Sequence, residues 1–166
     1  MESKIVKLKS KDNQIYEVPI DILRKCKLIS GLVEQASDES KIILLREVQA
    51  KQLEEILEYL KHYKNFEPKK IPKPFPETTD EVFLRGILND EWTFNFIQGL
   101  SIDEAVSIVN GAHYLRIKWL LRILAAKFSY EMCNCDVEEA REKFGIKCDM
   151  TEEEVARIDR ICPELK

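Results

Sequence analysis

The chain has 166 residues, of which 45% are hydrophobic and 34% charged, and its formal net charge is −4 with a pI of about 5.4. This composition is typical of a soluble globular protein with a buried core, and the length suits one domain, or one domain with an appendage. No basic patch or stripe stands out and no apolar run could cross a bilayer, so neither nucleic-acid nor membrane binding is expected.

The first segment, "KIVKLKSKDNQIYEV", alternates apolar and polar residues as a half-buried β-strand does. Val6 and Leu8 alternate with lysines, and Asp12 and Asn13 then supply two residues that tolerate a positive φ. Together they predict a β-hairpin, and Pro19 is expected to block further ladder pairing.

Short helical pieces follow in "DILRKC" and "SGLVEQ". The apolar run "KIILL" (residues 41–45) has the length of a strand and is expected to be buried. From Ala50 to Lys64 the apolar residues follow the i, i+3, i+4, i+7 spacing of a helix, as Leu53, Ile56 and Leu57 illustrate.

Four prolines in "EPKKIPKPFPE" predict an extended Pro/Lys-rich linker at about residues 65–78. A spacer is the favoured interpretation, and a proline-rich peptide ligand is the alternative. "DEVFLRGIL" is a further helix candidate, whereas "DEWTFNFIQGLS" is aromatic and irregular.

The C-terminal half is predicted to be almost entirely helical. Ser101 and Glu104 form one N-terminal capping box, and two further boxes are expected at Asp136 and Thr151. Gly145 supplies a left-handed helix stop. Strands mixed with helices and then helices alone indicate an α+β fold.

Catalytic and metal-binding patterns are not found. The two histidines, His62 and His113, have no nucleophile or acid nearby in sequence, so His113 is interpreted as a packing or interface residue rather than as a base. Phosphate-loop and nucleophile-elbow motifs are missing. The chain is therefore not expected to be an enzyme or to bind a small-molecule substrate.

The cysteines do not form a zinc pattern. They are Cys26, Cys133, Cys135, Cys148 and Cys162. Only one close pair exists, and one residue separates its members, whereas zinc sites usually have paired C-x₂₋₄-C motifs. The odd count and an N-terminal segment without the apolar core of a signal peptide predict reduced thiols in the cytoplasm or nucleus. No metal or cofactor is expected.

The segment after Gly145 carries more apolar residues than so short a stretch can bury on itself. They are Ile146, Met150, Val155, Ile158 and Ile161. Either this tail folds back on the domain or it forms a groove that another chain fills.

Four motifs, in order and across essentially the whole chain, resemble the S-phase kinase-associated protein 1 family, the small adaptors of cullin–F-box ubiquitin ligases. "VKLKSKDNQIYEV" resembles I-K-L-x-S-S-D-G-E-x-F-E-V, and "WTFNF" resembles W-D-x-x-F with Thr93 in place of the aspartate. "GAHYLRIKWLLRI" resembles A-A-N-Y-L-D-I-K-x-L-L-D. "EEAREKFGIKCDMTEEEVARI" resembles P-E-E-I-R-K-x-F-N-I-x-N-D-F-T-x-E-E-E.

The resemblance implies a BTB/POZ domain, a small mixed sheet covered by helices, over residues 1–130, and an F-box-binding helical extension over residues 131–166. It implies a non-catalytic adaptor that joins an F-box protein to a cullin in ubiquitin-dependent protein degradation. The implied cullin-side residues are His113, Tyr114 and Arg116. The implied F-box-side residues are Leu121, Phe144, Ile146, Val155 and Ile158.

The chain departs from the family pattern at the cullin side and at its end. Arg116 and Arg122 replace aspartates, Trp119 replaces a glycine, and the terminal tryptophan motif is not found. Because charge reversal can reject a partner, a second hypothesis stays open. In it, the chain is a diverged paralogue that holds an F-box-like protein in a fixed assembly without cullin.

Overall fold

The computed structural model describes residues 4–35, 42–65, 67, 70–71, 81–88, 90–147 and 149–161, which form two compact units, Met1–Asn134 and Cys135–Lys166. The first unit contains β1 (Ile5–Lys9), β2 (Ile15–Pro19), α1 (Ile20–Leu23), α2 (Lys27–Gln35), β3 (Ile42–Leu44), α3 (Ala50–His62), α4 (Glu81–Leu88), α5 (Glu91–Gly99), α6 (Ile102–Tyr114) and α7 (Lys118–Cys133). The second contains α8 (Val137–Phe144) and α9 (Glu152–Ile161). The predicted α+β class is confirmed, and most of the predicted linker lies outside the described residues.

The sheet has the strand order β2-β1-β3, with β2 antiparallel and β3 parallel to β1. The predicted hairpin is confirmed: Asn13 has a φ of 67°, and the Ser10 hydroxyl accepts a hydrogen bond from the Gln14 amide at 3.1 Å. Pro19 is the last residue of β2, but the prediction that it blocks further pairing is wrong, because the next amide, that of Ile20, still donates to the Lys4 carbonyl at 2.8 Å. The turn chemistry thus sets the register that buries Val6 and Leu8.

The expectation that residues 41–45 form a buried strand is only partly right. Leu45 is fully buried, but Ile42 and Leu44 are 45% and 48% exposed. Among the described strands β3 lies at the edge and pairs with β1, and its alternate residues lie on the sheet face that carries Lys7 and Lys9. A short apolar run does not reveal whether one or both of its faces will be covered.

The core of the first unit lies between the inner face of the sheet and helices α3, α6 and α7. The predicted stripe of α3 is confirmed, since Leu53, Ile56 and Leu57 are at most 4% exposed. Where α6 crosses α3, a Cβ atom on Gly111 would lie 2.8 Å from the Ile56 Cδ1 atom. A glycine therefore allows the two helices to approach closely.

Residues 90–101 are more regular than the sequence suggests. Asp90 caps a nine-residue helix, α5, by accepting a hydrogen bond from the Thr93 amide at 3.2 Å. The same carboxylate bonds to His62 of α3 at 2.9 Å, and the His62 ring stacks on Trp92 with its centroid at 4.0 Å. Side chains distant in sequence thus fix the start of α5.

The second unit consists of two well-capped helices with no buried residue among those described. α8 begins with the predicted Asp136–Glu139 box and ends at Gly145, which adopts a φ of 63° and is followed by a hydrogen bond from the Ile146 amide to the Arg141 carbonyl at 2.8 Å. These bonds satisfy helix ends that would otherwise be left without partners. None of the described helices is long and apolar enough to cross a membrane.

Candidate functional site

A tight turn joins α6 to α7, and we call residues 113–122 the corner. The Arg116 amide donates to the His113 carbonyl at 3.1 Å, and the Ile117 amide donates to the Ala112 carbonyl at 2.9 Å. This is a Schellman pattern, in which Arg116 occupies the left-handed position with a φ of 58°. A left-handed conformation costs a non-glycine residue about 1–2 kcal/mol. The buried Leu115 on one side holds the turn against the core.

The three predicted cullin-side residues lie together at the corner. His113 and Arg116 are exposed, whereas Tyr114 is half-buried and packs against the core. Beyond them, the Arg122 guanidinium lies 4.8 Å from the centre of the Trp119 ring, which is itself half-buried. The corner therefore combines basic side chains with two aromatic ones, Tyr114 and Trp119.

Four of the five predicted F-box-side residues lie in the second unit, and we call Phe144, Ile146, Val155 and Ile158 the tail surface. Ile146, Val155 and Ile158 are 52%, 39% and 40% exposed, and Phe144 is half-buried. Val155 and Ile158 are three residues apart and hence neighbours on one side of α9. Large apolar side chains at this exposure are typical of a surface that a partner covers.

Leu121 does not belong to that group, because it lies near the start of α7 in the first unit. It is half-buried and packs against the core, and its amide donates to the Ile117 carbonyl at 3.3 Å. Leu121 therefore lies within the corner, and its F-box role stays a prediction.

A capping box fixes the start of α9. The Thr151 hydroxyl accepts a bond from the Glu154 amide at 3.4 Å, and the Glu154 carboxylate accepts the Thr151 amide at 2.8 Å. The hydrogen bonds from the Thr151 amide and hydroxyl hold the pKa of Glu154 below its usual value of 4.5. The acidic first turn of α9 thus acts as structural capping, as the sequence predicts.

Three exposed apolar residues flank these surfaces but are not among the predicted site residues, although the sequence analysis noted one of them, Ile161, as an apolar residue of the tail. Met132 is the last residue but one of α7 and is 49% exposed, Val137 begins α8 and is 53% exposed, and Ile161 ends α9 and is 67% exposed. Helical spacing could have identified two of them: Val137 lies seven residues before Phe144, and Ile161 three after Ile158.

The described residues also provide little for catalysis or metal binding. No group of three or more His, Cys, Asp and Glu side chains among them could hold a metal ion. Cys26 is buried, which raises the pKa of its thiol to about 12 and keeps it protonated at neutral pH.

Comparison with known proteins identifies the family. Residues 4–65 match the Skp1 family tetramerisation domain, and residues 118–160 match the Skp1 family dimerisation domain. The chain is 35% identical over 153 residues to the S-phase kinase-associated protein 1 homolog of Tetrahymena thermophila. This alignment covers 92% of this chain and 89% of that protein.

The chain belongs to the Skp1 family. It is also 30% identical to the E3 ubiquitin ligase complex SCF subunit sconC of Emericella nidulans, over 96% of this chain and 95% of that protein. It is 28% identical to the SCF ubiquitin ligase complex protein SKP1a of Dictyostelium discoideum, over 93% of this chain and 91% of that protein. The resemblance and the Skp1-type POZ fold with C-terminal helices are thereby confirmed. The second family domain spans α7 to α9 and includes the whole tail surface.

Proposed function

We propose that this Skp1-family chain is an adaptor that joins an F-box substrate receptor to a cullin scaffold in a ubiquitin ligase that directs proteins to degradation. The observation that carries this proposal is the match to both family domains, together with relatives named as SCF ubiquitin ligase subunits that align with more than nine-tenths of the chain. Skp1-family proteins are not catalytic, which confirms the prediction that the chain is not an enzyme.

The F-box protein binds, in this proposal, to the extension over residues 131–166. The division into compact units directly after Asn134 and the exposed tail surface support it. Each capped helix is short, and the left-handed Gly145 fixes the chain direction after α8. Because these devices order the tail surface before binding, less conformational entropy is lost when the partner binds. Val155 and Ile158 are the expected anchors, with Leu121 as an added contact from α7.

The cullin binds, in this proposal, to the BTB/POZ domain over residues 1–130 through His113, Tyr114 and Arg116. Their position at one rigid, exposed turn supports this role. The described cysteines, which are Cys26, Cys133 and Cys135, are free thiols. Free thiols fit the reducing cytoplasm or nucleus, where we place the protein.

The F-box role predicts a specific effect of Ile158→Asp. A carboxylate in a desolvated contact should weaken binding of an F-box fragment by about 2 kcal/mol or more, which is about thirtyfold. The measurement is isothermal titration calorimetry of the full chain with that fragment. Folding should be preserved, because Ile158 is 40% exposed.

The matched control is Ile42→Asp, since Ile42 is similarly exposed but lies on β3 of the first unit. It should leave the F-box affinity within about twofold of wild type, because ordinary surface changes act weakly. An equal loss in both variants, or no loss with Ile158→Asp, would contradict the assignment. F-box binding without any cullin binding would instead favour the structural-paralogue hypothesis.

A further inference from the structure

We propose that the corner docks an acidic segment of the partner protein that binds the BTB/POZ domain. The inference rests on the proposed function, in which that partner is a cullin, and adds the chemistry by which this chain selects it. A cullin that binds here would present Asp and Glu side chains to the corner.

The first observation is that the sequence on either side of the corner contains no acidic residue. The chain contains 30 Asp and Glu residues, but none occurs in residues 105–130. The basic residues of that stretch are His113, Arg116, Lys118, Arg122 and Lys127. Lys127 is buried and pairs with Glu131 at 3.3 Å, so Arg116, Lys118 and Arg122 supply the positive charge of the corner. A search for long basic runs misses this pattern, because apolar core residues separate the cations.

The second observation is that, in the part of the chain that the structure describes, no acidic side chain pairs with the cations of the corner. Among the described residues, none of His113, Arg116, Lys118 and Arg122 forms an ion pair. Exposed lysines elsewhere do: Lys51 pairs with Glu104 at 2.7 Å. The positive potential of the corner is thus available to a partner, where charge complementarity gives specificity and speed of association.

The neighbouring element adds to this charge. The Leu28 amide donates to the Leu115 carbonyl at 3.4 Å, which places the exposed Lys27 and the start of α2 beside the corner. Asp21, an acidic residue of the preceding helix α1, pairs with Arg24 at 2.7 Å. Neither α2 nor α7 has an acidic residue in its first turn, so both positive helix ends reinforce the cations.

The third observation is that the corner is rigid. Two backbone hydrogen bonds and the buried Leu115 and Ile117 fix Arg116, and the Trp119 ring supports the Arg122 guanidinium. The left-handed conformation of Arg116 is energetically unfavourable, and the surrounding contacts hold it in place. Residues held in such conformations are frequent at functional sites. The backbone at Arg116 and the guanidinium of Arg122 are therefore held before binding, and arginine favours bidentate contacts with carboxylates.

A protein partner fits better than a nucleic acid. The chain as a whole carries a net charge of −4, which repels a polyphosphate beyond the immediate neighbourhood of the corner. Tyr114 and Trp119 are half-buried, so they offer apolar edges for a packed protein contact rather than free rings on which bases stack.

The test is the double variant Arg116→Asp/Arg122→Asp in the full chain. Asp tolerates a left-handed conformation better than most residues, so the variant is expected to fold, which circular dichroism checks. The control is Arg46→Asp/Lys61→Asp, which makes the same change in net charge at two exposed cations of the first unit outside the corner. The probes are N-terminal fragments of each cullin of the source organism.

At an ionic strength of about 0.01 M, the corner variant should bind the cullin fragment at least about tenfold more weakly, and the control variant within about twofold of wild type. At about 1 M the difference between the variants should largely vanish, because charges are then screened within about 3 Å. Equal effects of the two double variants, or tighter binding by the corner variant, would overturn the inference and leave the adaptor function standing.

Two further outcomes separate the inference from its basis. If no cullin fragment binds wild type while an F-box fragment does, the bridging function fails and the inference fails with it. If a single-stranded DNA oligonucleotide or anionic vesicles bind wild type, and the corner variant abolishes that binding without changing cullin binding, the corner serves a different ligand class and the inference is overturned.

Discussion

Asp90 accepts hydrogen bonds from side chains of two different parts of the first unit. Its carboxylate accepts from the His62 ring at 2.9 Å, from the Tyr63 hydroxyl at 3.0 Å and from both the amide and the hydroxyl of Thr93. Partial burial would raise the pKa of Asp90, but the hydrogen bonds from Thr93, His62 and Tyr63 outweigh it and hold the pKa below 3.8. One side chain thus ties the end of α3 to the start of α5.

We expect Asp90→Ala to lower the free energy of unfolding by about 2–4 kcal/mol, because it removes a helix cap and leaves partly buried donors without their acceptor. Since the folded-state pKa is depressed, the stabilisation is complete above the unfolded pKa of about 4 and is lost as the pH falls through the folded value. Urea unfolding of both proteins at pH 7 and at about pH 3 measures it.

The control for that experiment is Asp103→Ala, which removes an exposed acid in the first turn of α6. It should cost less than about 0.5 kcal/mol. A difference between wild type and Asp90→Ala that stays constant from pH 7 to pH 3 would contradict the proposed role of the carboxylate.

At the scale of single residues, caps between neighbours in sequence are predictable and networks between distant residues are not. The Ser101–Glu104 box and the left-handed Gly145 follow from spacing alone. The bonds of Asp90 to His62 and Tyr63 span 28 and 27 positions, so no local pattern reveals them. The sequence analysis consequently interpreted residues 90–101 as irregular.

Among the elements, the crossing of α3 and α6 depends most on one small side chain. Gly111 is buried in α6, and its position leaves room for the Ile56 side chain of α3. Gly31 in α2 is the contrasting case, because a Cβ atom there would meet nothing within 4 Å.

We expect Gly111→Ala to destabilise the protein by about 1–2 kcal/mol, since the cost of overpacking exceeds the gain in helix propensity. Gly31→Ala should instead stabilise it by up to about 1 kcal/mol, because only the propensity term remains. Thermal unfolding of the two variants measures both signs. Equal changes in stability in the two variants would show that the close approach of Gly111 to Ile56 does not affect stability.

The elements that the sequence predicts well are those with a clear period. The hairpin and the stripes of α3 and α6 follow from alternation and from helical spacing. The edge position of β3 does not, because it depends on a parallel pairing with β1 across more than thirty residues. Ile42 and Leu44 are therefore apolar, as buried residues usually are, but they are 45% and 48% exposed.

At the scale of the whole molecule, the two candidate surfaces belong to different units. The corner lies within Met1–Asn134 and the tail surface within Cys135–Lys166. The family resemblance indicated the residues of both from the sequence. The positive potential of the corner could not be predicted from the sequence, because only the folded chain shows that these cations have no ion pair among the described residues and that Lys27 lies beside them.

In the proposed function, one copy of this chain binds an F-box protein and a cullin at the same time. Wild-type chain, an F-box fragment and a cullin N-terminal fragment are mixed and analysed by size-exclusion chromatography with light scattering. The account predicts a complex with one copy of each, from which Ile158→Asp releases the F-box fragment and Arg116→Asp/Arg122→Asp releases the cullin fragment. Mutually exclusive binding of the two fragments, or a wild-type mixture that contains binary complexes only, would contradict it.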